Sequence, residues 1–163
     1  MTRIRQETLE TNWFLWILLS HTRDTLLRVL MKNLRSFNVH PMETAVLVIA
    51  HEAGPPPPTP ADISRWMFRE SQTISALLVR MERRGLIKKI KDEKRKNGIR
   101  VVPTSRGTEI YKKIVGREGI TDVLSILTDE GYQQLIKNLQ MLRQEGLKQL
   151  NMKDVYFFFK DKV

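Results

Sequence analysis

The chain has no cysteine in 163 residues, and that absence removes two mechanisms at once. A thiol-based oxidation switch needs a thiolate, as does a Cys-ligated metal centre, and neither is open to this sequence. Histidine is almost as scarce. His21, His40 and His51 are scattered, with no His-x-x-x-His or His-Glu-x-x-His spacing, so no metal site is expected and each reads as an ordinary surface or core histidine. The eight glycines build no phosphate-cradling loop. Gly54 precedes prolines, which offer no N–H, and Gly116-Arg117-Glu118-Gly119 reads as a bend or break in a helix. No catalytic constellation can be assembled from these residues, and no cofactor is expected. Long apolar runs are missing too. The longest, Trp13 to Leu19, spans seven residues, against the ~20 that a membrane-crossing helix requires. Glu7 and Glu10 before it and His21-Thr22-Arg23-Asp24 after it do not suit a signal peptide. A cytoplasmic chain without membrane contact is expected.

Positive charge, in contrast, is abundant and concentrated. The formal net charge is +10. Residues 83 to 100 hold Arg83, Arg84, Lys88, Lys89, Lys91, Lys94, Arg95, Lys96 and Arg100 against Asp92 and Glu93, so most of the excess lies in one short stretch. Around it the sequence changes period. At 100° per residue Ile74, Leu77, Leu78 and Met81 form one apolar stripe, with Gln72, Ala76, Val79 and Arg83 opposite, Thr73 and Arg80 on one flank and Ser75 on the other. Taken alone, that polar side could be a plain solvated face. Its neighbours argue otherwise. Pro60 followed by Ile63, Trp66 and Met67 predicts a short preceding helix, and Arg69-Glu70-Ser71 a tight turn with Ser71 as the next N-cap. Leu86 to Ile90 and Ile99 to Val102 predict two antiparallel strands around a cationic turn, Asp92 to Gly98, with Asn97-Gly98 as its breaker. Thr104 predicts the cap of a helix starting at Ser105. Helix, turn, helix, hairpin, helix is the order of a winged helix-turn-helix, a device that puts a helix in the major groove and a hairpin along the phosphates.

These motifs resemble those of the MarR family of transcriptional regulators. The likeness rests on Met81-Glu82-Arg83-Arg84-Gly85-Leu86-Ile87, the charged wing, Pro103-Thr104-Ser105-Arg106-Gly107 and the later Leu127-Thr128-Asp129-Glu130, and covers roughly residues 10 to 150. Two places depart from it. Arg95-Lys96-Asn97 stands where the family's wing carries Asp-x-Arg, which predicts a wing tip without the ion pair that stiffens it, and Pro103 replaces a leucine.

The resulting fold class is mainly α with a small β-hairpin wing (α+β): a single domain over 1–163, with the winged helix-turn-helix at about 38–118. Helical regions at about 9–36 and 120–150 bracket it. The first carries Trp13, Phe14, Trp16, Ile17, Leu18 and Leu19 nearly all round. The second places Tyr132, Leu135, Leu139 and Leu142 at spacings of three and four. Neither has an evident partner in so small a module. An intramolecular bundle and a homodimer both remain open, with two-fold pairing the commoner solution, and the resemblance implies dimerisation helices. The tetraproline Pro55–Pro58 is a stiff connector, and Val155-Tyr156-Phe157-Phe158-Phe159 is an apolar tail expected to dock on the same chain or its twin.

Double-stranded DNA is the expected partner. Gln72, Thr73, Ser75 and Ala76 are the candidates for base contact, with Ser71 at the helix start; Arg80 and Arg83 are candidates for phosphate or groove edge, and Lys94, Arg95 and Lys96 for the wing's minor-groove contact. The resemblance further implies a repressor on a palindromic operator, released by a small aromatic effector. Trp13, Trp16, His40 and Met42 could line its pocket, although packed core is the plainer role for each. Two other functions fit the same residues: a sequence-tolerant architectural DNA binder, drawn by charge alone, and a protein-interaction module on a winged-helix scaffold.

Overall fold

The computed structural model describes residues 3–92, 94, 98–116 and 120–152, with side chains from residue 10 onward. A long helix α1 (Arg3–Asn33) leads through a 3₁₀ turn (Arg35–Phe37) to α2 (Pro41–Glu52), α3 (Pro60–Met67) and α4 (Ser71–Arg83). The hairpin β1 (Ile87–Lys91) and β2 (Ile99–Pro103) follows, then α5 (Ser105–Val115), α6 (Ile120–Leu124) and α7 (Asp129–Gln149). The predicted class, mainly α with one antiparallel hairpin, is the one observed. Among the described residues no helix is long and apolar enough to cross a membrane.

Each element of the central module starts and stops for a local reason. At α2, His40 Nδ1 accepts from Met42 N (3.3 Å) while Glu43 Oε2 accepts from His40 N (2.9 Å), a capping box with Pro41 in the first turn. Thr59 and Asp62 repeat the device at α3, where Pro60 opens the helix as predicted. The end of α4 is a Schellman closure. Gly85, at φ 66, donates to Glu82 O, and Leu86 N donates to Met81 O. That closure takes Leu86 out of the strand, so β1 runs from Ile87, one residue later than predicted. Thr104 accepts from Gly107 N (3.1 Å) and donates to Gly85 O (2.6 Å), capping α5 and tying it to that same turn.

Two expectations about boundaries need correction. Ser71 is not the cap of α4; Glu70 holds that position without a side-chain cap, and Ser71 is the first helical residue. The N-terminal helix ends at Asn33, not near 36, because Leu34 turns inward and Asn38, at φ 50, redirects the chain.

The core lies where α2, α3, α4, the hairpin base and α5 meet. Ile74, Leu77, Leu78 and Met81, the predicted stripe of α4, are all buried there with Val46, Leu47, Ile63, Leu86, Ile87, Val101 and Ile110. The aromatic band of α1 is outside it. Trp13 and Trp16 are 64% and 60% exposed in the protomer, and Leu135, Leu139 and Leu142 of α7 are exposed as well. The tail Val155–Phe159 lies outside the described residues.

Candidate nucleic-acid interface

Burying one stripe of α4 fixes what the helix offers outward. Ser71, Gln72, Thr73, Ser75, Ala76, Val79, Arg80 and Arg83 are all exposed. Thr73, Ala76 and Arg80 face the N-terminus of α2 across a cleft of about 640 Å³, also lined by His40 and Glu43. Ser71 lies against α3, its hydroxyl 3.5 Å from that of Ser64.

The pitch of α4 is held by a buried carboxylate that sequence reasoning missed. Glu43 is completely buried, and its two oxygens accept from Arg84 Nη1 at 2.7 and 2.6 Å, while Arg84 Nη2 donates to Asn38 O at 2.6 Å. Arg80 approaches the same carboxylate at 3.5 Å with its side chain 58% exposed, so it is anchored at one side and open to solvent at the other. In the same last turn of α4, Glu82 accepts from both the ammonium and the backbone N–H of Lys89, which holds its carboxyl below the ordinary value of 4.5. The signal for Glu43 was present: an acid in the first turn of an apolar helix, three residues after a potential N-cap at His40.

The expectation drawn from Arg95-Lys96-Asn97, a wing tip without its ion pair, falls on residues outside those described. An ion pair does stand where the strands enter the wing loop: Arg100 Nε and Nη2 donate to Asp92 Oδ2 at 2.9 and 2.8 Å. The remaining Arg100 nitrogen, Nη1, donates to Pro57 O at 2.7 Å, and Val101 N to Pro58 O at 2.9 Å. The tetraproline therefore runs along the outer edge of β2 as well as linking α2 to α3. Lys94 is exposed at the turn, its backbone N–H donating to Asp92 Oδ1. Arg95 and Lys96 lie outside the described residues.

These pairs change how the charge count is read. Arg84, Lys89 and Arg100 are committed to Glu43, Glu82 and Asp92. Arg83, Lys88, Lys91 and Lys94 are exposed on and beside the wing. Among the described residues no cluster of His, Asp and Glu could hold a metal ion. His40 caps α2, and His51 stacks on Tyr111 with ring centroids 3.7 Å apart.

No family model and no curated protein matches the sequence. Solved structures do. The ligand-free organohalide-sensing transcriptional regulator RdhR is 27% identical with a TM-score of 0.69, covering 90% of this chain and 86% of that one. A MarR family protein from Bacillus stearothermophilus is 23% identical with a TM-score of 0.65, covering 89% and 97%. A MarR mutant from E. coli complexed with operator DNA is 19% identical with a TM-score of 0.67, covering 78% and 92%. The resemblance read from the motifs thus holds in three dimensions: this chain has the winged helix-turn-helix fold of the MarR-family transcriptional regulators.

Proposed function

We propose that the protein is a sequence-specific transcriptional regulator that binds double-stranded DNA as a homodimer, acting as a repressor on a palindromic operator. The observation that carries this reading is the outward face of α4. Gln72, Thr73, Ser75 and Ala76 are small or amide side chains, exposed and flanked by Arg80 and Arg83, on a helix whose pitch is fixed by Glu43–Arg84 and which stands beside a cationic hairpin. Amides and hydroxyls read base edges; arginines at the helix flank and Lys94 at the turn neutralise phosphates. Two such helices related by a two-fold axis would enter successive major grooves ~34 Å apart.

The exposed aromatic band of α1 and the apolar face of α7 supply the dimer surface. Both are solvated in the protomer, where such a patch favours association. Between α1 and the DNA-reading module lies a cavity of about 690 Å³ lined by Leu27, Leu30, Met42, Trp66, Met67 and Ile114 among others. A small aromatic effector fits its apolar walls, and RdhR has been solved with 2,4-dichlorophenol. Of the residues considered for such a pocket from sequence, Met42 lines this cavity, His40 lines the cleft beside α4, and Trp13 and Trp16 project from α1. An occupant that favours one spacing of the two DNA-reading modules shifts the dimer away from its operator.

The test is fluorescence anisotropy on DNA from immediately upstream of the protein's own gene and on random DNA of equal length, at low and physiological salt. A preference of at least ~10³-fold for one sequence is the expected signature of specific binding. Equal, salt-labile binding to every duplex tried would favour the architectural reading. No binding at low salt, or affinity unchanged when Lys94, Arg95 and Lys96 are all replaced by Ala, would favour a protein-interaction role.

A further inference from the structure

We propose that Asp92, Arg100 and the carbonyls of Pro57 and Pro58 form a positioning hub that sets the wing against the helix-turn-helix, so that DNA affinity depends on a buried ion pair that touches no DNA. The inference rests on the DNA-binding reading above and adds residues that it does not use.

The hub is assembled from both sides of one carboxylate. Asp92 Oδ2 receives Arg100, while Oδ1 receives the backbone N–H of Lys94 and so fixes the turn at which the exposed lysine sits. Asp92 N donates in turn to Gly98 O at 2.8 Å, closing the base of the loop. Side-chain exposure is 5% for Asp92 and 15% for Arg100, so the pair is withdrawn from solvent and from any phosphate. From Arg100 the path leaves the hairpin through Nη1 to Pro57 O, reinforced by Val101 N to Pro58 O. Two residues on, Thr59 caps α3 against Asp62. Lys94 is therefore tied to the helix-turn-helix by a chain of hydrogen bonds independent of the α4–β1 connection.

The residue types suit that role. Proline fixes φ and donates no hydrogen bond, so the tetraproline offers carbonyls at set positions and leaves no N–H groups on the sheet's edge. A guanidinium presents two donor edges in a fixed plane, one for the carboxylate and one for the carbonyl, which a lysine ammonium at the end of a flexible stem does not reproduce. The competing view is that Arg100 is one more cation of the patch. The two views predict opposite signs for one substitution. Asp92→Asn raises the net charge by one unit, which strengthens binding if only charge matters. If the hub positions the wing, the same change weakens binding.

The experiment compares wild type, Asp92→Asn and Arg100→Lys on the same duplexes by anisotropy across a salt series. In parallel, spin labels at Ala61→Cys on α3 and Lys94→Cys at the turn, clean in a chain with no native cysteine, report the distance distribution by pulsed electron resonance without DNA. Expected are folded variants by circular dichroism and a broadened label distance in both. Asp92→Asn should lose about tenfold in affinity, with a salt slope shallower by about 1, and Arg100→Lys should change in the same direction. Unchanged or tighter binding by Asp92→Asn with an unchanged distance distribution overturns the hub. Should wild type bind no duplex at low salt, the DNA-binding reading falls, and the hub then stands or falls on the label distances alone.

Discussion

Removing the Glu43 carboxylate is the most informative single perturbation of the fold, because it is completely buried and joins α2 to α4. Glu43→Ala leaves the Arg84 guanidinium with Asn38 O as its remaining acceptor among the described residues and deletes the bond that returns to His40 N. Breaking a buried pair by removing one partner costs about 3–5 kcal/mol. Arg84 keeps 30% of its side chain exposed, so water recovers part of that loss and the lower end applies. The capping bond adds about 1 kcal/mol. The expected total is about 3–4 kcal/mol, equivalent to a Tm lower by roughly 6–16 °C for a chain of this size.

Thermal and urea denaturation followed by circular dichroism measure it directly. Glu43→Gln keeps the shape and the bond to His40 N but removes the charge, and should lose distinctly less. Replacing both partners by apolar residues, Glu43→Leu with Arg84→Met, should cost less than Glu43→Ala alone, since the double change strands no charge. A loss below about 1 kcal/mol for Glu43→Ala would refute the reasoning; it would mean that Arg84 is adequately solvated without its partner.

Three further outcomes are expected. Gly107→Ala should cost at least about 2 kcal/mol in urea melts, because its Cβ would overlap the Leu86 carbonyl and press on Leu47. Gly131→Ala, in the matching Thr-x-x-Gly of α7, meets Thr128 Oγ1 alone at 3.2 Å and should cost less. At Asp62, burial acts to raise the carboxyl's pKa, but the Thr59 backbone N–H and hydroxyl together with Arg65 outweigh it and hold the value below 3.8. Its contribution is therefore present above pH 3.8 and lost as pH falls through the lower folded value. Asp62→Asn should lose about 1 kcal/mol at neutral pH and converge on wild type in acid. Trp16→Glu should leave the protomer folded and shift sedimentation from dimer to monomer; a wild type that sediments as a monomer would remove the dimer from the account.

The elements that were legible in the sequence are those whose signal is local. The stripe of Ile74, Leu77, Leu78 and Met81 appeared as a period of 3.6 and is buried as a unit. Thr104 and Pro60 announced a cap and a first turn through their own backbone chemistry, and each serves as expected. What stayed illegible depends on residues far apart in the chain. Arg84 and Glu43 are separated by 41 positions and Arg100 and Pro57 by 43, and no periodicity links them. The N-cap was misassigned at Ser71 because a favourable residue stood next to the true boundary, where Glu70 caps without a side-chain bond. The wing's ion pair was missed for a related reason. Asp92 and Arg100 lie eight positions apart on either side of the wing loop, and no local pattern links them.

Counting charge overstates how much of it is free to act at the surface. In the stretch from 83 to 100, Arg84 and Arg100 face inward to buried carboxylates and Lys89 pairs with the exposed Glu82, and charges neutralised in that way release no counterions when DNA arrives. Their work is geometric. Arg84 holds α4 on α2, Lys89 ties β1 to the end of α4, and Arg100 ties β2 to the proline connector. Each paired cation thus fixes one junction of a frame made by α2, α4, the wing and the connector. The exposed cations Arg83, Lys88, Lys91 and Lys94 are carried on its faces. A sequence-reading surface needs such a division, because exposed charge supplies attraction that is indifferent to sequence, whereas base discrimination requires side chains held in place before DNA arrives. The same basic stretch that looks uniform in the sequence is in the structure two sets of residues, one exposed to solvent and one paired to carboxylates that determines where the first set stands.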